Sequence, residues 1–197
     1  MPSGPTGLLE DSSLVSALTN PDGLPQQVVG LISFDRVLAQ ALELQDVAGE
    51  HRLVAPARGN VEIAPATRQE LAIKGRAATT SAELFNRERV TLGADPLARS
   101  DALDQVALDH AIALYQAGRL SHSSGAGRIN ARLDAADIPN VRSGEVVVLA
   151  QSARSASEAM VRDESARAEL ADRDYRRFGV GAVRGPLGLM VVVVIAG

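Results

Sequence analysis

The sequence predicts an α+β fold, a three-layer αβα sandwich with a small, mostly antiparallel sheet and an N-terminal helical extension. Three observations predict it. Apolar residues recur at helical spacing in several segments between 82 and 171. Residues 189–196 form an unbroken apolar run with four consecutive valines, which favours a strand buried on both faces. Residues 184–186, Arg-Gly-Pro, give a hairpin signal between that run and the extended segment before it. Helices must then cover both faces of the sheet.

The first part of the chain differs in character from the rest. Residues 1–77 are punctuated by proline and glycine. Apolar positions from Val28 to Leu44 follow Pro25 at helical spacing and predict one amphipathic helix that ends near Gly49. Residues 51–63 could form a short extended segment. We therefore predict an N-terminal extension and linker over 1–77 and a globular domain over 78–197.

Within the predicted domain, cap and stop residues bound each element. Serine, threonine or aspartate precedes the helices, and Gly93 and Gly118 follow the first two of them. An edge strand as apolar as the last one would be an aggregation hazard, so we expect that strand to be central. The predicted elements, in chain order, are helices at about 82–92, 101–118 and 128–136, a strand at 144–149, a helix at 155–171, and strands at 178–183 and 187–196.

Composition and charge exclude several function classes. The net charge of -4 argues against a nucleic-acid surface, which usually needs a basic stripe. Without cysteine, the chain has no disulfide, no thiolate zinc site and no cysteine nucleophile. The longest apolar run has eight residues, well below the roughly 20 that a membrane helix requires. With no signal peptide recognisable at the start, these features predict a soluble chain without a transmembrane segment.

The histidines and serines do not by themselves form a known catalytic motif. His110 lies on the apolar face of its helix, which is typical of a core histidine, whereas His51 is expected in an exposed loop. Ser123 and Ser124 adjoin His122 but lack the Gly-x-Ser-x-Gly elbow of hydrolases. Residues 125–128, Gly-Ala-Gly-Arg, lack the lysine of a phosphate-binding loop. We expect no catalytic residue among them.

Five segments nevertheless resemble, in the right order, the CAP superfamily domain of cysteine-rich secretory proteins, antigen 5 and pathogenesis-related proteins. They lie within residues 82–197, and the resemblance is to the cysteine-free bacterial branch. His122 follows His110 by the same 12 positions as in that family. The matching segments are Leu84-Phe-Asn-Arg-Glu-Arg89, Asp109-His-Ala111, Gly118-Arg-Leu-Ser-His122, Gly144-Glu145 and Phe178-Gly-Val-Gly181.

The resemblance implies a cleft in which two histidines and two acids can hold a divalent ion. In this chain it leaves His122 and Glu145, with Asp163 as a third ligand, while Ala166 stands where the second histidine would be. Such a degenerate set implies no cofactor, or at best a weakly bound divalent cation such as zinc, because zinc sites normally have three or four protein ligands. Ala166→His should then strengthen zinc binding. The alternative is that His122 and Glu145 form a buried hydrogen-bonded pair that fixes a loop to a strand.

The resemblance further implies a noncatalytic binding or interaction module of a bacterial secreted or envelope protein. Its partner would be an unknown protein, lipid or cell-envelope ligand, and not a nucleic acid. Two alternatives stay open. One is a weakly metal-dependent hydrolase that uses His122 and Glu145; the other is a lipid- or sterol-binding protein. An extracellular or envelope location follows from the resemblance, and the missing signal peptide leaves a cytoplasmic location as the alternative.

Overall fold

The computed structural model describes residues 52–197, all of them within the compact unit Ala41–Gly197. The amphipathic helix predicted to follow Pro25 and to end near Gly49 lies outside the described residues, and so does His51. The elements, in chain order, are β1 (Leu53–Val54), β2 (Val61–Glu62), a 3-10 turn (Arg68–Glu70), β3 (Ala72–Ile73), α1 (Gly75–Thr91), β4 (Ala98–Arg99), α2 (Asp101–Ala117), β5 (Arg119–Leu120), α3 (Ile129–Ala135), β6 (Ser143–Ala150), α4 (Ala153–Arg162), α5 (Glu164–Ala171), β7 (Arg177–Gly185) and β8 (Gly188–Ala196).

The main sheet is built around the C-terminal valine run. Its strand order is β1-β6-β8-β7-β3, and β4 adds to the β7 edge. Strand β8 pairs antiparallel with β6 on one side and with β7 on the other. The prediction that the last strand is central is therefore confirmed, and every residue of β8 is buried. Strands β2 and β5 form a separate two-stranded ladder.

Helices cover both faces of this sheet, as predicted for an αβα sandwich. Alternate residues of β6 and β8 enter two separate apolar clusters, because successive side chains of a strand point to opposite faces. Side chains of α2 and α3 contribute to one cluster, which also contains Val147 and Val194. Side chains of α1, α4 and α5 contribute to the other, which contains Val146 and Val193.

Several boundaries differ from the sequence prediction. Helix α1 begins at Gly75 instead of Ala82, and its start has no side-chain cap to signal it. The single helix predicted over 155–171 is two helices, because the Asp163 side chain accepts a hydrogen bond from the Ala166 N–H and starts α5. The predicted boundary between residues 77 and 78 falls inside α1, and β1 and β3 of the predicted extension pair with β6 and β7.

No helix within residues 52–197 combines the length and apolar character that crossing a bilayer would require.

Candidate functional site

The candidate site is centred on Glu145, near the start of β6. Its neighbour Gly144 faces α5, since a Cβ at that position would lie 2.3 Å from the Glu169 carboxylate. Because strand residues alternate between faces, the Glu145 side chain points to the opposite face, toward α2 and α3. Its side chain is only 2% exposed. A carboxylate this deeply buried requires compensating partners.

His122, in the loop after β5, supplies one of these partners. Its Nδ1 lies 2.9 Å from Oε2 of Glu145. An ionised carboxylate only accepts hydrogen bonds, so the hydrogen resides on Nδ1 and is donated to Glu145. The His122 side chain is 29% exposed, which makes it the solvent-facing member of the pair. The predicted approach of His122 to Glu145 is confirmed.

Arg132, on α3, supplies the second partner. Its Nη1 forms an ion pair with Oε1 of Glu145 at 2.7 Å, and the arginine side chain is 6% exposed. The Nε of Arg132 also donates to the carbonyl of Gly127, at 3.1 Å. The guanidinium therefore holds α3, the loop before it and β6 together. Both oxygens of Glu145 are engaged, one by each partner.

His110, on α2, completes the cluster without hydrogen-bonding to Glu145. Its Nε2 donates to the Ser121 carbonyl at 3.2 Å and lies 3.6 Å from Oε2 of Glu145. The side chain is fully buried, as expected for a core histidine. Burial lowers the pKa of His110 to about 4, despite the nearby carboxylate. At neutral pH this imidazole is uncharged, so Arg132 and not His110 compensates the Glu145 charge.

The pKa of Glu145 reflects the balance of these groups. Burial by itself would raise it, because the charged form loses its hydration. The hydrogen bond from His122 and the charge of Arg132 outweigh burial and hold the pKa of Glu145 below its ordinary value. The carboxylate is therefore ionised at neutral pH although it is enclosed by protein.

The serines beside His122 shape the loop. Ser121 Oγ accepts the N–H groups of Ser123 and Ser124, and it also bonds to Ser124 Oγ at 2.8 Å. These residues line a concavity of about 340 Å³ together with Asn60 and Arg119. The serine hydroxyls thus stabilise a tight turn and form a polar wall of the concavity. Neither Ser123 nor Ser124 hydrogen-bonds to a histidine among the described residues, as a nucleophile would.

Asp163, the third ligand implied by the resemblance, does not join the other two residues. It caps α5, and its carboxylate accepts the Ala166 N–H at 2.9 Å. Helices α4 and α5, on either side of it, pack against the face of the sheet opposite to Glu145. Within residues 52–197, no three histidine or acidic side chains converge as a metal site. The residues present therefore do not fit a zinc ion, because the guanidinium of Arg132 already lies against Oε1 of Glu145.

Arg132 is the site residue that sequence reasoning missed. The short helix that carries it was predicted, but nothing in the local sequence distinguishes this arginine from its exposed neighbours. Its role depends on α3 folding back over the 121–127 loop to reach β6, which is a tertiary contact.

Comparison with known proteins finds a family model and solved structures that match this architecture. The family model of the CAP domain, the cysteine-rich secretory protein family, matches residues 82–195. None of the curated proteins matches the chain.

Three solved bacterial structures share the fold. An extracellular protein containing an SCP domain, from Bacillus anthracis, has 19% sequence identity and a TM-score of 0.56, with 62% of this chain and 41% of that chain covered. An outer surface protein of Borrelia burgdorferi has 16% identity and a TM-score of 0.58, with 64% and 96% covered. A cysteine-rich secretory protein of Staphylococcus aureus has 13% identity and a TM-score of 0.53, with 62% and 38% covered.

The match thus spans less than half of the Bacillus and Staphylococcus chains and nearly all of the Borrelia chain. At these identities the structural likeness establishes the fold alone. The family model adds the family, because it matches more than half of the 197 residues, from the first half of α1 to the end of β8. The chain belongs to the CAP family, and it is a member without cysteine.

Proposed function

We propose that this chain is a noncatalytic binding module that works outside the cell or at the cell envelope. The observation that carries the proposal is the paired carboxylate of Glu145, with an ion pair to Arg132 on one oxygen and a hydrogen bond from His122 on the other. Metal-dependent hydrolysis needs a metal with an open position for water and normally three protein ligands. An arginine in the place of the metal cannot supply that chemistry.

The location rests on the relatives. Two of the similar structures are described as an extracellular protein and an outer surface protein, both bacterial. A domain of the same family with the same fold is proposed to work in the same compartment. The absence of cysteine is compatible with this location, since the two apolar clusters provide stability without disulfides.

Within this proposal the cluster has a structural task. It links the loop that carries His122, helix α3 and strand β6, and so shapes the surface on that side of the sheet. The alternative of sterol or lipid carriage would be favoured by an apolar tunnel near the site. The concavity beside the site is instead lined mainly by serine, asparagine and arginine in the described part of the chain.

Zinc titration by calorimetry tests this proposal. The parent protein should give no saturable heat at neutral pH, and neither should Glu145→Gln, the control that removes the carboxylate charge. Ala166→His should gain nothing, because Ala166 packs in the cluster on the other face of the sheet. Saturable zinc binding by the parent that Glu145→Gln abolishes would overturn the proposal and favour the hydrolase.

A further inference from the structure

Strand β7 has a gap in its outer edge, between the short strands β4 and β3 that pair with it. On one side of the gap the Val180 N–H donates to Asp104 Oδ1 at 2.6 Å. On the other side the Ala182 carbonyl accepts the Lys74 N–H at 2.9 Å. Between these bonds, the Val180 carbonyl and the Ala182 N–H have no partner among residues 52–197. Unpaired strand edges are sites where another extended chain can add.

A groove of about 360 Å³ lies over this gap. Its floor is residues 180–182 of β7, and its walls are the first turns of α1 and the α2 side chains Gln105 and Leu108. Val180 and Ala182 are 2% and 1% exposed, so a ligand reaches their backbone only by entering the groove. Ile73, at one end, is 50% exposed and offers apolar contact there.

The two unpaired groups match one residue of an extended peptide. In a parallel pairing, a residue opposite Gly181 would donate its N–H to the Val180 carbonyl and accept the Ala182 N–H on its own carbonyl. Addition of a peptide strand to a sheet edge is a common mode of recognition. Because Asp104 and Lys74 occupy the flanking backbone groups, the gap pairs with one residue of ligand, which spans about 3.3 Å of extended chain.

The charges of the groove give the ligand a direction. A peptide parallel to β7 has its N-terminal side near Asp101 and Asp104 and its C-terminal side near Lys74. Asp104 is paired with Arg99, whereas Lys74 has no ion pair among the described residues. Because β3 occupies the edge beyond Lys74, the ligand chain cannot continue along β7 at that end.

We infer that this groove binds the C-terminal residues of an extended polypeptide, with the free carboxylate beside Lys74. The inference rests on the proposed binding role and names the partner chemistry: a protein whose chain ends in an exposed, extended tail. The backbone pairing supplies the anchoring, and Lys74 selects a chain end over an internal segment.

The test uses the full-length protein labelled with ¹⁵N and a library of acetylated pentapeptides with free carboxyl ends. The control is the same library with amidated ends. The Ala182 amide resonance should shift with the free-acid library, and binding should weaken roughly tenfold with the amidated one, because a charge-assisted contact is lost. Lys74→Gln should remove this preference, while Arg87→Gln, an exposed arginine later on α1, should keep it.

Two results would overturn the inference. One is that no peptide shifts the Ala182 resonance. The other is equal binding of both libraries with no effect of Lys74→Gln, which would indicate internal segments as ligands. Neither result would change the outcome expected of the zinc titration. Conversely, zinc binding by the parent would refute the noncatalytic role, whereas a shift of the Ala182 resonance with the free-acid library would still support peptide binding in the groove.

Discussion

At the scale of single residues, the buried charge of Glu145 is the feature on which the site depends. Its two partners come from separate elements, Arg132 from α3 and His122 from the loop after β5. Loss of one partner of a buried pair leaves the other charge uncompensated, which costs about 3–5 kcal/mol, whereas loss of both costs much less. The three side chains therefore act on stability as a unit.

A double-mutant cycle measures this coupling. Arg132→Met should lower the free energy of unfolding by about 3 kcal/mol, and Glu145→Gln should lower it too. The double variant should be less destabilised than the sum of the single variants. Urea denaturation gives the values. Arg119→Met is the control, because its pair with Glu62 is exposed and should contribute less than about 1 kcal/mol. Strictly additive effects would show that Arg132 does not compensate Glu145.

His110 gives the protein a pH dependence of its own. Burial lowers its pKa to about 4, against an ordinary value of 6.5. Between these two pH values, His110 binds a proton in the unfolded chain but not in the folded protein. The free energy of unfolding therefore falls as the pH drops from about 6.5 to 4. In His110→Gln this part of the loss should disappear. The test measures the difference in unfolding free energy between parent and variant at pH 7 and again at pH 5. The same difference at both pH values would contradict the lowered pKa.

The site could be predicted in part from the sequence. The meeting of His122 with Glu145 was predicted, because two short motifs at family spacing mark them. The position of Asp163 away from these two residues was not predicted, since the face of the sheet against which a helix packs depends on tertiary contacts. Arg132 was missed for the same reason, as its partner is 13 positions away on another element.

At the scale of elements, long periodic segments were predictable and short pairings were not. Helix α2 and strand β8 carry clear patterns over 17 and 9 residues. Strands β1 and β3 have two residues each and show no period, so only their partners β6 and β7 define them. Helix α1 was predicted too short because its first turn, from Gly75, carries no capping side chain.

The packing of α2 on β7 depends on two glycines. A Cβ on Gly181 would lie 2.3 Å from the Leu108 backbone nitrogen, and one on Gly179 would lie 2.1 Å from the Leu103 carbonyl carbon. Backbone cannot yield as a side chain can. Gly181→Ala should therefore destabilise the protein by more than about 2 kcal/mol, at the upper end of single-substitution effects.

Gly75→Ala is the matched control for Gly181→Ala. Nothing lies within 4 Å of a Cβ at Gly75, and the residue starts α1. Alanine there should be neutral or stabilising by up to about 1 kcal/mol. Thermal denaturation of both variants decides the point. Equal effects at the two glycines would mean that α2 does not lie this close to β7.

At the scale of the whole molecule, residues before the family match take part in the folded domain. Buried side chains between 52 and 74 join the apolar cluster on the α2 side of the sheet: Ala55, Ile63, Ala66 and Leu71. Deletion of residues 1–77 removes these side chains and β1, β2 and β3. The remaining chain keeps the three long strands and all of α2, so it should still unfold cooperatively, though at a lower temperature.

Deletion of residues 1–51 is the control for that truncation, because it leaves every described element in place. Its melting temperature should lie above that of the 1–77 deletion, and calorimetry of the two proteins gives the difference. Equal melting temperatures would show that β1 and β3 add nothing to stability. Loss of cooperative unfolding in the 1–77 deletion would show that residues 52–77 are required for the fold.

The central claim is that an arginine, and not a metal ion, compensates the buried carboxylate of this CAP domain. The most direct measurement is a crystal structure of the parent grown at neutral pH with excess zinc, with an anomalous scattering map at the zinc edge. We expect Arg132 on Oε1 of Glu145, His122 on Oε2, and no anomalous peak between them. A zinc peak bound by His122 and Glu145, with Arg132 displaced, would contradict the claim.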